Sequence, residues 1–294
     1  MTAQDNYTNN SSNDEVMLAA RQFVIAAFYH FFDFHDFEKK RLPLLDFLKQ
    51  RDIKGSILVA PEGINGTVGG SREAIDSMLD YLQGEVVGEK FEHKESFSEK
   101  PPFIRTKVRL KKEIISLGKP NDPFKTGVHL NCEEWDELTS DPDTIILDSR
   151  NSYETHLGTF KGAIIPNTRN FKQLPDFVNM NLLDKKKAKI ATFCTGGVRC
   201  EKFAAWMLAE GFEQVYHLKG GILKYLEEVP EEKSSWQGEC YVFDKRVAVG
   251  HGLVPTTTAS MCNACGHALL PEDRAQPSFD EHVTCPYCVD KQAI

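Results

Sequence analysis

The sequence predicts a mixed α/β chain in three parts: a split βαββαβ unit, a parallel-sheet α/β domain, and a small cysteine-rich tail. Three observations predict it. The first third alternates β-rich apolar runs with two amphipathic helical patterns in the order βαββαβ, that of a ferredoxin-like α+β domain. Between residues 127 and 230, short buried runs alternate with helical stretches, which calls for a parallel sheet. The last segment carries two C-x-x-C knuckles and little else that builds a core.

Taken in order, residues 1–15 are polar, and 1–20 reads as a disordered start without a secretory leader. The run Phe23–Phe32 is a strand, and Asp36–Gln50 follows with apolar residues at helical spacing, its first turns weakened by Pro43. Gly55–Ala60 and Gly63–Gly69 are strands joined by the Pro61-Glu62-Gly63 turn. Ser71 caps a helix with Ala74, Ile75, Met78, Leu79 and Leu82 on one face. One extended segment lies between Phe91 and Leu110, closing a domain over 21–118. Lys119–Phe124 is a linker. Thr144–Asp148, Ile164-Ile165, Ile190–Phe193 and Val215–Leu218 are strands of the second domain, 127–230. Glu201–Glu210 is its helix, closed by Gly211. Cys240–Phe243 is a short apolar segment at the start of the tail, 236–294.

Composition sets broad limits. A chain of 294 residues suggests two or three domains, and 41% hydrophobic with 27% charged residues is ordinary for a soluble globular protein. A net charge of −8 argues against generalised nucleic-acid affinity but leaves room for a local basic surface. No apolar run approaches the roughly 20 residues of a membrane span, so no membrane partner is expected. The eight cysteines cluster unevenly, which fits catalysis and metal binding better than a disulfide framework and points to the cytoplasm.

The chemistry centres on Cys194. A strand ends there, the loop Thr195, Gly196, Gly197, Val198 follows, and Arg199 and Cys200 open a helix. Such a loop aims backbone N–H groups at one sulfur, while the helix dipole and Arg199 add positive potential, so the thiol ionises readily. The spacing is C-x4-R, one residue shorter than the C-x5-R phosphate cradle of cysteine phosphatases, and suits a sulfur-bound group. Cys200 either resolves a persulfide or sulfenate on Cys194 or packs in the core. Asp148 and Arg150 either shape the site as an ion pair or belong to the framework. Cys132 and Cys240 read as packing residues.

Residues 127–230 resemble a rhodanese domain. Leu147-Asp148-Ser-Arg150 with Glu154, Gly158-Thr-Phe-Lys-Gly162-Ala163, and the Cys194 loop with Gly220-Gly221 carry the resemblance, although Thr159 stands where that pattern often has His. Pro61-Glu-Gly-Ile-Asn-Gly66, Phe193–Lys202 and Gly238–Arg246 are further similar to the bacterial tRNA uridine hydroxylases, over the chain from about residue 20 onward. This resemblance implies a ferredoxin-like (acylphosphatase-like) domain before the rhodanese domain. It also implies oxygen-dependent hydroxylation of the wobble uridine of tRNA to 5-hydroxyuridine, with Cys194 as the persulfide-type catalytic residue. A persulfide-carrying sulfurtransferase is the alternative. Molecular oxygen would be the co-substrate; the sequence identifies neither electron donor nor sulfur-donor partner. It holds no 2-His-1-carboxylate triad, and His93-x-Glu95 reads as a solvated strand face.

Two further constellations stand out. Arg105, Lys107, Arg109 and Lys111 alternate along one strand face, a row of cations about 7 Å apart that suits RNA phosphates. The plain alternative is an ordinary solvated face; a tRNA substrate favours RNA binding. Cys262, Cys265, Cys285 and Cys288 form two knuckles 19 residues apart, the pattern of a closed structural zinc site. Four reduced thiols or two disulfides are the alternatives.

Overall fold

A computed structural model describes residues 23–289, so the expected disordered start lies outside the described residues. The chain divides into two compact units at Ile114/Ile115.

The first unit runs β1 (Phe23–Phe31), α1 (Phe37–Gln50), β2 (Lys54–Ala60), β3 (Gly63–Gly70), α2 (Arg72–Tyr81), β4 (His93–Ser98) and β5 (Thr106–Leu110). Its sheet order is β4-β1-β3-β2-β5. The first four strands pair antiparallel and β5 adds parallel to β2. The alternating residues Val24, Ala26 and Phe28 of β1, Ile57 and Val59 of β2, and Ile64 and Val68 of β3 pack with Leu44, Leu48, Ile75 and Met78 of the two helices. Ser71 caps α2 as the sequence predicts, its Oγ accepting the Ala74 N–H at 3.2 Å. Gly63, at φ 138°, must be glycine because a Cβ there would run into the His30 carbonyl.

Two details differ from expectation. The single extended segment at 91–110 is two strands on opposite edges of the sheet. Pro101-Pro102 falls between them and supplies no ladder donor. Pro43 lies inside α1 without delaying its start. Pro43 and Lys39 are both exposed, so the Lys39 carbonyl that loses its helical donor is open to solvent.

The second unit holds β6 (Val128–Leu130), α3 (Cys132–Ser140), β7 (Ile145–Asp148), α4 (Ser152–Thr155), β8 (Gly158–Phe160), α5 (Leu174–Asn181), β9 (Lys189–Phe193), α6 (Val198–Ala209), β10 (Gln214–Leu218) and α7 (Gly221–Glu228). A parallel sheet of order β6-β10-β9-β7 sits at its centre. Ile164 adds only a single bridge to Leu147 in place of the expected strand. Apolar clusters flank the sheet, one built on Trp135, Phe160, Phe193 and Tyr225, the other on Phe171, Leu174, Phe203 and Met207. α6 begins at Val198, three residues before its expected start, because the tight loop ends with Gly197. It closes on Gly211 at φ 88°, with Gly211 N–H on Leu208 O and Phe212 N–H on Met207 O, a Schellman ending.

β11 (Trp236–Gly238) pairs with β8, and β12 (Cys240–Tyr241), β13 (Ala248–Val249), β14 (Ser260–Met261), β15 (Ala268–Leu269) and α8 (Pro271–Arg274) complete the unit. The tail packs Tyr241, Val247, Ala248, Ala259 and Ala268 on Leu157 and Tyr153. Beyond that contact its interior is Cys262, Cys285, Cys288, Leu269 and Phe279, a core dominated by sulfur. No described helix is long and apolar enough to cross a membrane.

Candidate functional site

Cys194 sits directly after β9, at the carboxyl end of a sheet strand flanked by β7 and β10. Loops at such ends gather chemistry in open α/β sheets. Gly197 takes φ 105° and turns its N–H onto the Cys194 sulfur at 3.1 Å. The N-terminus of α7 closes the loop from the other side: Ile222 N–H donates to Cys194 O at 2.9 Å and Leu223 N–H to Thr195 O at 3.1 Å. Gly221 permits that approach, since a Cβ there would meet Cys194 O and Gly197 N. The Gly220-Gly221 pair is thus part of the loop's scaffold.

Burial opposes ionisation of Cys194, but hydrogen bonding from the Cys200 thiol, the charge of Arg199, and the N–H groups of Cys200 and Gly197 outweigh it and pull the thiol down to about 5. The same arrangement pushes the Cys200 thiol well above its usual value, by burial first and the neighbouring Cys194 second. Cys200 therefore remains a protonated donor, with Ser149 Oγ 3.3 Å from its sulfur. Cys194 itself is fully buried.

Arg199 acts on Cys194 through its charge, not through its donors. Its guanidinium grips Glu154 with two bonds of 2.5 and 2.7 Å, and a third reaches Thr195 Oγ1 at 3.2 Å. Thr195 Oγ1 in turn donates to Glu154 at 3.1 Å. Glu154 is fully buried. Burial raises its carboxyl, yet the charge and hydrogen bonds of Arg199 prevail and hold it below the usual range. The sequence singles out Glu154 only as part of a motif, and its role as the anchor of the loop goes unseen there. The available signal is Asn151-x-x-Glu154, in which the Glu154 carboxylate accepts the Asn151 N–H at 3.2 Å at the start of α4.

Asp148 and Arg150 form a fully buried bidentate pair at 2.9 and 2.6 Å, with Arg150 also on Gly158 O at 2.6 Å. Thr159 Oγ1 donates to Asp148 at 2.9 Å, so threonine supports the pair at the position where the rhodanese pattern often has histidine. This pair ties β7 to β8 and belongs to the framework. Cys132 and Cys240 are buried thiols pushed up to about 12, chiefly by burial.

On the first unit, β5 carries Lys107 and Arg109 on one face, while Val108 points to the core. Gly55 N–H on Arg105 O and Lys111 N–H on Val59 O extend the same ladder at both ends, which puts all four basic residues in one row. His93 and Glu95 lie on β4 at 3.3 Å, and Glu95 is held by Arg72 at 2.6 Å, so neither is arranged around a metal.

In the tail, the sulfurs of Cys262, Cys265, Cys285 and Cys288 all lie within 4.8 Å of one another. Individual pairs are 3.6, 3.7 and 4.0 Å apart, and none is a disulfide. A metal at about 2.3 Å from each of four sulfurs in a tetrahedron requires sulfur separations of about 3.8 Å. Those three separations match it, and the other pairs stay within 4.8 Å.

Family models described as "UPF0176 acylphosphatase like domain" and "Rhodanese-like domain" match residues 23–114 and 131–228. A curated tRNA uridine(34) hydroxylase of Picosynechococcus sp. is 47% identical over 272 residues, covering 92% of this chain and 91% of that protein. Among solved structures, a rhodanese-like domain from Anabaena sp. is 21% identical, with a TM-score of 0.31, over 37% of this chain and 78% of that one. An acylphosphatase from Coxiella burnetii is 10% identical, with a TM-score of 0.25, over 30% of this chain and 94% of that one.

Proposed function

The chain belongs to the tRNA uridine(34) hydroxylase family, and we propose that Cys194 is the reacting thiol with which it converts the wobble uridine to 5-hydroxyuridine. The observation that carries this assignment is a sulfur that accepts the Gly197 N–H beside Arg199 and is pulled down to about 5, hence ionised at neutral pH. The thiolate adds to C6 of the uracil ring, and the electron density delivered to C5 meets molecular oxygen. One oxygen atom stays at C5 as hydroxyl. The other leaves as water, taking up two electrons and two protons from a reductant. Loss of the C5 hydrogen then expels Cys194. Cys200, kept protonated by burial and the neighbouring sulfur, donates to Cys194 and helps hold it as thiolate. The enzyme works with its tRNA in the cytoplasm. Isotopically labelled dioxygen tests the reaction: the label should enter the nucleoside, whereas label entering only from water would refute an oxygen-dependent step.

The same loop would hold a persulfide on Cys194, and the rhodanese match keeps sulfur transfer as the second reading. Loss of a thiolated nucleoside instead of a hydroxylated one, in cells lacking the gene, would favour it.

Arg105, Lys107, Arg109 and Lys111 bind the tRNA backbone. Replacing all four by alanine should weaken tRNA binding, and flatten the plot of log affinity against log salt by about 0.7–0.9 for each phosphate that is no longer neutralised. Filter or anisotropy titrations across a salt series measure this, and an unchanged slope would remove the strand from the interface.

Cys262, Cys265, Cys285 and Cys288 hold zinc. Four thiolate ligands leave no open position, so the ion stabilises the tail and takes no part in hydroxylation. Elemental analysis should find a single zinc per chain, and chelation should lower the melting temperature. Metal-free protein with undiminished stability would contradict the assignment.

A further inference from the structure

We propose that the pocket bounded by Tyr153, Tyr241 and His267, with Phe243 packed edge-on against Tyr241, receives an unstacked base of the tRNA anticodon loop. The inference rests on the hydroxylase reading for the identity of its ligand. The pocket has a volume of about 280 Å³, and Cys265 and Gly266 complete its lining. Its walls come from three separate stretches of the second unit: α4, β12 and the turn between the first knuckle and β15.

The rings are fixed before any ligand arrives. Tyr153 stands edge-on to Tyr241 at 5.3 Å and to His267 at 6.4 Å. Tyr287 stacks behind His267 at 3.9 Å, and its hydroxyl donates to Asp273 at 2.7 Å. Asp273 also binds His156 at 2.7 Å. Ordered aromatic rings lose little freedom on binding, and every nucleobase offers a face to stack on them. Gly266 leaves open space above its backbone, since a Cβ there would meet nothing within 4 Å. Phe243 stands edge-on to Tyr241 at 5.1 Å while remaining 52% exposed.

The position relative to Cys194 names the partner. Tyr153 precedes Glu154 on α4, and Glu154 holds Thr195 and Arg199 of the Cys194 loop. One short helix therefore contributes both to the pocket and to the anchor of the reacting loop. An enzyme that modifies a base in a folded RNA takes it out of its stack, and single-stranded loops are read by splaying neighbouring bases onto aromatic side chains. A base next to the wobble uridine, held in this pocket, sets the register of the loop over the thiol.

Photo-crosslinking tests the proposal on the full-length wild-type protein. Anticodon stem–loops carry a photoreactive thiouridine at one loop position at a time, and mass spectrometry maps the crosslinked residue. Crosslinks to Tyr153, Tyr241 or Phe243 from a position beside the wobble uridine are expected. Phe243→Ala, a change at an exposed side chain, should weaken binding of the same stem–loop about tenfold. Wild-type protein that hydroxylates the stem–loop without crosslinking at the pocket, together with full-strength binding by Phe243→Ala, overturns the pocket and leaves the hydroxylase reading standing. Crosslinking of free nucleotides alone also overturns it. Wild-type protein that neither binds nor hydroxylates the stem–loop brings down both.

Discussion

Replacing Cys194 with serine should abolish 5-hydroxyuridine formation while leaving tRNA affinity unchanged. Serine fits the space of the thiol and keeps a polar atom for the Gly197 N–H, so the loop survives. The hydroxyl does not ionise at neutral pH, and no nucleophile remains to reach C6. The wild-type rate should carry the matching pH signature. A thiol pulled down to about 5 stays ionised as pH falls from neutral, and its thiolate is lost only as pH passes through that value. An unperturbed cysteine would lose its thiolate near pH 8.5. Single-turnover assays across pH measure both effects. Residual turnover in Cys194→Ser above a few per cent of wild type would mean that the sulfur does not form a bond to the base.

Glu154→Ala should cost the second unit about 3–5 kcal/mol, the penalty for stranding one charge of a buried pair. Arg199 is 5% exposed and would lose both of its carboxylate bonds, and Thr195 would lose its acceptor. The loop then loosens, so hydroxylation should fall along with stability. The pH dependence follows from the depressed carboxyl of Glu154, whose burial penalty is outweighed by the charge and bonds of Arg199. Its stabilisation is complete above the ordinary carboxylate range and fades as pH falls through the lower folded value. Denaturant titration of the full chain checks the magnitude. A loss under about 1 kcal/mol would show that the pair is solvated like a surface ion pair.

The folding pattern is legible in the sequence wherever local signals and tertiary packing agree. β1 and β2 follow from their apolar, β-rich runs, β3 from the Pro61-Glu62-Gly63 turn before it, and Ser71 caps α2 as its residue type demands. Cys194 emerges from the spacing to Arg199, because a thiol, a glycine-bearing loop and a cation at a helix entry are individually uncommon and together point to one chemistry. β6 and α3 escape a local reading, although Asn131 and Glu134 make a full capping box there. Val128–Leu130 is a strand only because β10 lies beside it, which no local propensity reveals. β4 and β5 read as one extended segment for the same reason: strand pairing decides the sheet edge. The partner of Arg199 lies 45 residues away, and only the fold brings Glu154 to it. The aromatic pocket has no sequence signature, since its walls come from distant segments.

The central claim is that this chain hydroxylates the wobble uridine of tRNA. Nucleoside mass spectrometry of bulk tRNA from cells with the gene deleted, and from the same cells carrying it again, tests it most directly. Deletion should remove 5-hydroxyuridine and its derivatives, and the wild-type gene should restore them. Undiminished 5-hydroxyuridine in the deletion strain, with a thiolated nucleoside missing in its place, would contradict the account.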